Sequence, residues 1–419
     1  MEVAGKAAIM DFYKRENYLR KIRGFYHDCG LIKAITGLRR CGKSCLMQTI
    51  ADELLQQGIP PENIIRIDLD RRGFKSIRTP EQLEQKIDSL SSAPGIKYLF
   101  IDEVQNVKGF EEIINAFRTE GSHSIFITGS NSYLLSGEMM TKLTGRYIEF
   151  EMFPLTFEEY EGMKAYYGKP IDPDMTREFD QYIIEGGFPK TIEYDSIEDK
   201  RAYAKSVISE IFAKDISRRI KIRNRSVFDK VQRYVINNFG ATVSIANIAT
   251  DLARQGISVK RETLHRYIKI LEDAKIIYEC KRFDLKSRRS IRGEQKYYLA
   301  DMGIYFASNT DNRINYGPVL ENIIYIYARS LGYEISIGRI GRLECDFILR
   351  SATNNYAYVQ SAMTIMSDIS TENREYAPLE QIKDNYPKFV MTRNDMVQHR
   401  NGIRHVNIPD FIKKHGLFE

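Results

Sequence analysis

The chain has 419 residues, 43% of them hydrophobic and 28% charged, with 62 Lys and Arg against 56 Asp and Glu and a formal net charge of +6. That length predicts roughly two to four domains, and the apolar fraction excludes a chain disordered throughout. No run of about 18 apolar residues occurs, a Lys and an acid precede any apolar stretch at the N-terminus, and the five cysteines include no Cys-x-x-Cys pair; a membrane span and a disulfide framework are thereby excluded, and we expect a soluble, cytoplasmic protein with free thiols.

Residues 11–28 read as a helix with Tyr18, Leu19, Ile22 and Phe25 on one apolar stripe. A short β-run over 31–36 follows, then Gly37, four residues, Gly42, Lys43 and Ser44, then a helix-competent stretch. This is the Gly-x4-Gly-Lys-Ser phosphate loop in its strand-loop-helix setting. Glycines at both ends let the backbone wrap so that its N–H groups point at phosphate oxygens, and the following helix adds the positive end of its dipole. The motif assigns nucleotide contacts to Gly37, Leu38, Arg39, Arg40, Cys41, Gly42, Lys43, Ser44 and Cys45. Lys43 would reach the β- and γ-phosphates of ATP and the Ser44 hydroxyl would sit on Mg2+. Cys41 is either a thiol whose alkylation blocks nucleotide binding or a small space-filling residue.

Gly58 and Pro60 mark a turn before a second strand, IIRIDLD, with Asp68 and Asp70 at its end. Thr79, Pro80 and Glu81 then open a polar helix as cap, first-turn proline and dipole partner. Residues 98–101 form an apolar strand that ends in Asp102 and Glu103. About 60 residues after a phosphate loop, this is the pattern in which the Asp holds magnesium through water and the Glu orients or activates the attacking water. A fourth strand, 124–128, ends in Gly129, Ser130, Asn131 and Ser132. Ser130 or Asn131 is the candidate sensor, able to bond both the attacking water and the γ-phosphate. In LTGRYIEFEMFPL, Arg146 stands in a turn before a β-run. It is either a surface ion-pair partner or an arginine that reaches a γ-phosphate, in its own subunit or across an interface. The alternation of strands and helices predicts an α/β, parallel, doubly wound sheet with the site at the carboxyl ends of its strands.

Residues 156–224 turn helical, with a break at Glu185, Gly186, Gly187, Phe188 and Pro189 that reads as a tight helix connection. From 214 to 296 the chain carries 21 Lys and Arg against 9 Asp and Glu, a net of +12 that leaves the remainder at −6. Such a segment is either a nucleic-acid contact or a solvated basic face. Within it, 244–253 and 261–274 make two helices around a turn at Gly256, followed by the β-run IIYECKRF. That is the order of a winged helix-turn-helix, a module that also serves as a packing element between proteins. The second helix would present Lys260, Arg261, His265, Arg266 and Lys269 to a groove or phosphate backbone, and the basic stretch with Arg288 and Arg289 would be the wing. From Pro318 the pattern is α/β again, with Glu321 on a helix, a strand RLECDFIL carrying Glu344 and Asp346, and a strand YAYVQSAM.

Taken together, ITGLRRCGKS, LFIDEVQN, FITGSNSYLLS, LTGRYIEFEMFPLTFEEY, EGGFP, KYYLADMG, VLENIIYIYARSLGY and ECDFIL resemble bacterial and archaeal AAA+ ATPases of the AAA_14 type with a C-terminal DUF4143 region, related to the STAND signalling ATPases. The resemblance covers nearly the whole chain. It implies an ATP- and Mg2+-dependent ATPase in which Lys43, Ser44, Asp102 and Glu103 take the roles above and Arg146 is an arginine finger or sensor. Gly187 and Pro189 resemble the Gly-x-Pro element that contacts the adenine side of the nucleotide. The implied domains are a P-loop AAA+ core over 1–155, a helical lid over 156–225, a winged helix over 226–296 and, over 297–419, a restriction-endonuclease-like PD-(D/E)XK domain. That nuclease fold uses an Asp on one strand and Glu-x-Lys on the next; Asp346 matches the first, but Gln360, Ser361 and Ala362 occupy the second. A catalytically inactive nuclease fold, retained for DNA binding or assembly, is therefore expected. The implied partners are DNA, branched DNA such as a Holliday junction included, and further copies of the chain, with a hexameric ring as one form. The alternative is a nucleotide-controlled signalling switch whose winged helix packs on the ATPase core.

Overall fold

The computed structural model describes residues 12–129, 143–216, 222, 224–287, 289–309 and 315–419. Ser130, Asn131 and Arg288 lie outside the described residues. The chain divides into two compact units, residues 1–152 and 153–419.

In the first unit, helix α1 (Glu16–Ile22) buries Tyr18, Leu19 and Ile22, and Phe25 just beyond it meets Phe150 edge-on at 5.7 Å. Strand β1 (Ile32–Gly37) feeds helix α2 (Lys43–Gln56). There follow β2 (Ile64–Asp68), α3 (Pro80–Leu90), β3 (Lys97–Asp102), α4 (Phe110–Glu120), β4 (His123–Thr128) and β5 (Tyr147–Met152). The five strands are all parallel, in the order β2-β3-β4-β1-β5. Side chains alternate across a strand, so Ile32, Ala34, Ile65, Ile67, Leu99, Ile101, Ile125 and Ile127 share one core with Leu83 and Ile87 of α3 and Phe110 and Ile114 of α4. Every residue of β1 and β4 is buried, as expected of a parallel sheet covered on both faces. Helix α3 starts at Thr79, whose hydroxyl takes the Gln82 N–H while the Gln82 amide returns to the Thr79 N–H. That reciprocal cap fixes where the helix begins.

The second unit opens with α5 (Phe157–Tyr166), α6 (Met175–Glu185) and α7 (Ile197–Glu210), capped at Thr156, Asp174 and Ser196 by their own side chains. Next come α8 (Arg225–Asn237), β6 (Thr242–Val243), α9 (Ile245–Arg254), α10 (Arg261–Asp273) and a hairpin of β7 (Ile277–Asp284) and β8 (Arg289–Leu299). Strand β7 also pairs in parallel with β9 (Glu334–Ile340). The hairpin thereby joins a nine-stranded mixed sheet with β10 (Leu343–Arg350), β11 (Tyr356–Ser361), β12 (Lys388–Thr392), β13 (His399–Arg400) and β14 (Ile403–Asn407). The boundary expected between 296 and 297 falls inside β8. Helices α11 (Met302–Ser308), α12 (Tyr316–Leu331), α13 (Ile369–Gln381) and α14 (Ile408–Lys413) complete the unit. Among the described residues no helix is long and apolar enough to cross a membrane.

Helix α12 is tied to the sheet by a buried amide. Asn322 receives the Leu299 N–H at 2.7 Å and donates to the Leu299 carbonyl at 2.9 Å, completing the backbone at the end of β8. Asn322→Ala leaves both groups without a partner and should lower the unfolding free energy by about 2–4 kcal/mol. Urea denaturation followed by circular dichroism measures the change; an unaltered midpoint would show that the amide is replaceable.

Candidate functional site

Gly37 ends β1 at φ +136°, and a Cβ there would lie 2.1 Å from the carbonyl oxygen of Met152 on β5. Only glycine allows the loop to leave the sheet this close to a neighbour. Arg40 at φ 67° and Gly42 at φ 106° are also left-handed, and such turns cup successive backbone N–H groups around an anion. Leu38 and Cys41 point into the protein, Arg39 is half-buried, and Arg40, Ser44 and Cys45 are exposed. Burial pushes the Cys41 thiol up, which favours the space-filling role over the reactive one. Lys43 starts α2, is itself buried, and lays its Nζ across the loop, 2.9 Å from the Gly37 carbonyl and 3.1 Å from that of Leu38.

The two acids stand at neighbouring strand ends. Asp102 closes β3, and its carboxylate accepts the Thr128 hydroxyl from the last residue of β4. Glu103 takes a left-handed backbone, φ 56°, and donates its N–H to the same Thr128 oxygen at 3.1 Å. The Gln105 amide bonds the Glu103 carboxylate. Burial raises the Glu103 carboxyl above its ordinary value, opposed by the positive charges of Lys43 and Arg39. The structure therefore brings the loop, Asp102 and Glu103 into one electrostatic site. Thr128 is a residue that sequence reasoning passed over. It ends the apolar run SIFIT and looks like strand filling, yet its one hydroxyl bonds the Asp102 carboxylate and holds the Glu103 backbone. Ser44 and Asp102 offer a hydroxyl and a carboxylate, the hard oxygen donors that magnesium takes alongside phosphate and water.

Arg146 is placed elsewhere. It is exposed in the turn before β5, and its carbonyl accepts the Ile32 N–H at 3.0 Å. Ile32 pairs with Tyr147 at the amino ends of β1 and β5, whereas Gly37 pairs with Met152 at the carboxyl ends. At about 3.3 Å per residue, Arg146 lies roughly 20 Å from the loop. Of the two ways it was expected to reach a γ-phosphate, the one within its own subunit is corrected by this spacing; contact across an interface remains.

In the second unit the Glu185 to Pro189 break is a packing hub. A Cβ on Gly186 would meet an Asp301 carboxylate oxygen at 2.3 Å. Gly187 donates its N–H to Asp301, and its carbonyl accepts the Leu155 N–H at 2.7 Å. Glu185 receives the Tyr160 hydroxyl and the Lys200 ammonium, each at 2.6 Å. Pro189 begins a short helical turn, Pro189–Glu193. The EGGFP and KYYLADMG motifs thus meet on Asp301, whose fully buried carboxyl is pushed up to about 6 by desolvation.

Helix α10 buries Leu264, Tyr267, Ile268 and Leu271 and exposes Lys260, Arg261, His265, Arg266 and Lys269. Lys269 is shared with Glu272 at 3.2 Å and Asp273 at 3.1 Å. Arg289 is exposed at the start of β8. On β10 and β11, the buried Asp346 accepts the Ser361 N–H at 2.8 Å, and Gln360 bonds the Asp346 N–H at 3.3 Å and Glu375 at 3.1 Å. The lysine absent from β11 has a counterpart on β8: Lys296 Nζ lies 3.1 Å from Glu321 and 3.0 Å from Glu344. Arg282 holds Glu344 as well, at 2.7 Å. Burial and the nearby charge of Glu321 push the Asp346 carboxyl well above its ordinary value. These acids are engaged by the protein's own cations, a long-range pairing with no local signal in the sequence.

Residues 30–161 match the AAA domain family AAA_14. Residues 176–313 match a domain of unknown function, DUF8612, in place of the DUF4143 assignment. An uncharacterized protein of Haemophilus influenzae is 32% identical over 382 residues, 90% of this chain and 92% of that protein. An uncharacterized protein of Methanocaldococcus jannaschii is 28% identical over 312 residues, 72% of this chain and 67% of that one. The Walker-type ATPase of Pyrococcus abyssi has a similar fold, with a TM-score of 0.50 at 17% identity, covering 71% of this chain and 96% of its own. The chain belongs to the same family as the Haemophilus influenzae protein, and its residues 30–161 are an AAA-type P-loop ATPase domain.

Proposed function

We propose that the protein is an ATP-hydrolysing, DNA-binding machine that moves or remodels DNA. The observation that carries this reading is that the Lys43 loop, Asp102 and Glu103 stand at the same carboxyl edge of the parallel sheet, where the charges of Lys43 and Arg39 act on Glu103 and Thr128 bonds the Asp102 carboxylate and the Glu103 backbone. Loop N–H groups and Lys43 would bind the β- and γ-phosphates, and Glu103, held in place by Thr128 and Gln105, would take the proton of the attacking water. Mg2+, held by Ser44 and Asp102, supplies charge neutralisation between the phosphates when bound. Arg146 would complete a neighbouring subunit's site, which makes the working form a homo-oligomer, a hexameric ring among the options.

The helix, strand, two helices and hairpin over 225–299 support a winged helix, and the exposed cations of α10 support its use on a phosphate backbone. The resemblance of the C-terminal sheet to an inactive nuclease fold favours branched DNA, Holliday junctions included. One observation favours the nucleotide-controlled switch instead: the hairpin is built into the nine-stranded sheet through β7 and β9, which uses part of the wing for packing.

DNA-stimulated ATP hydrolysis separates the two readings, with stimulation expected for the machine and slow, DNA-indifferent turnover for the switch. Glu103→Gln should bind ATP with near-normal affinity but slow turnover by about 10²-fold or more; undiminished hydrolysis would place the base elsewhere. Arg146→Ala should reduce turnover by about 10³-fold, and mixing it with Glu103→Gln should restore activity, because each variant supplies what its neighbour lacks. No recovery in the mixture would count against a role across subunits. Replacing Arg261 and Arg266 together by Glu should abolish DNA binding and flatten its salt dependence, as read by fluorescence anisotropy at two ionic strengths.

A further inference from the structure

We infer that Arg15, which lies outside every nucleotide motif of the chain, is a positioning residue for the phosphate loop. The inference rests on the nucleotide reading of that loop and extends it. Arg15 stands at the start of α1, is only 6% exposed, and places its guanidinium 4.6 Å from the Tyr18 ring centre. A buried guanidinium is costly unless it does something that only a cation can do. Here one of its terminal N–H groups donates to the carbonyl of Cys41 at 3.0 Å.

The peptide that carries this carbonyl also carries the N–H of Gly42. In a planar trans peptide the C=O and N–H point in opposite directions, so holding the carbonyl of Cys41 outward turns the N–H of Gly42 to the other side. Gly42 is the left-handed residue just before Lys43, and its N–H is among the donors that the motif aims at phosphate. A charged donor on the carbonyl also polarises the peptide and strengthens its N–H as a donor. Arg15 thereby acts on the phosphate through the backbone, without touching it.

The remainder of the N-terminal segment serves the same end. Glu53, near the far end of α2, receives Arg23 at 3.0 and 2.8 Å and the Tyr26 hydroxyl at 2.9 Å. Helix α1 and its continuation therefore grip α2 at one end through Glu53, while Arg15 holds the turn at the other. The recognised ligand is the diphosphate portion of a nucleoside di- or triphosphate.

The test uses the full-length protein with ADP and ATP as probes. Arg15→Met, close in length but without a donor, should weaken ADP and ATP about 10-fold alike, since a hydrogen bond to a charged group carries about that factor. The KM for ATP should rise by a similar factor, while turnover at saturating ATP stays within about twofold, since the catalytic acids do not touch Arg15. Arg15→Lys should recover part of the lost affinity. Wild-type ADP affinity in a folded Arg15→Met protein overturns the inference, as does a fall in turnover with no change in KM. Where Arg15→Met does not fold, Arg15→Leu, which likewise lacks a donor, is judged by the same criteria. Lys43→Ala keeps the two levels apart: if it binds ADP as well as wild type, the nucleotide reading of the loop fails, and if it loses binding while Arg15→Met does not, the inference fails alone.

Discussion

A backbone that aims several N–H groups at one point must leave both strand and helix geometry, and the first unit is organised around that demand. Gly37, Arg40 and Gly42 all have positive φ. For glycine this costs little, but Arg40 carries a penalty of about 1–2 kcal/mol that the surroundings must offset. The offset comes from elements with no freedom to move. Strand β1 lies between β4 and β5 and is buried along its whole length, and Lys43 adds two bonds to the loop carbonyls. The closeness of Gly37 to the Met152 carbonyl ties the loop's first residue to the end of β5. Edge and loop thus form one rigid frame, and the glycine is required both by the loop's own positive φ and by a neighbour 115 positions away in the chain.

The acids meet a related constraint. A carboxylate that serves as a base must be partly withdrawn from water, which raises its proton affinity, yet it must not swing. On the proposed reading Glu103 would meet both: burial lifts its carboxyl, the left-handed backbone turns it off the strand axis, Thr128 holds its backbone N–H and Gln105 bonds its carboxylate. Left-handed geometry at a non-glycine residue is held only where several contacts agree. One of them, the Thr128 hydroxyl, also bonds the Asp102 carboxylate, so the Asp102 side chain and the Glu103 backbone share one anchor.

The phosphate loop, the paired acids and the parallel sheet were legible because each has a local signature: glycine spacing, an apolar run ending in charge, a repeating strand-helix rhythm. What was not legible is what depends on long-range pairing. Thr128 becomes a site residue only when β4 lies against β3, Arg15 only when α1 lies against the loop, and Lys296 only when β8 faces the acids of α12 and β10. Arg146 also needed the fold, to tell a contact within its own subunit from one across an interface. Its motif context fitted a catalytic arginine, but register along β5 sets it at the wrong end of its own sheet. The EGGFP break reads by itself as a tight connection and by resemblance as an adenine contact; its partner Asp301 lies 114 positions on, beyond any pattern of spacing.

Charge in the basic segment needs the same correction by burial. Counted along the chain, Arg282 and Lys296 add to a positive stretch; in the fold they neutralise Glu321 and Glu344 and contribute little to any outward field. A buried pair loses solvation that attraction only partly returns, so such cations are held for the sheet's own acids. The exposed cations of α10 differ. Lys260, Arg261, His265 and Arg266 lie on the side of a helix whose other side is filled by Leu264, Tyr267, Ile268 and Leu271, so packing fixes the direction in which they face. Their side chains remain hydrated, and a polyanion that displaces its own counterions to meet them gains more than it would from cations already paired. The field that matters for a nucleic acid is therefore that of one helix face, smaller than the net charge of the segment and far more directional.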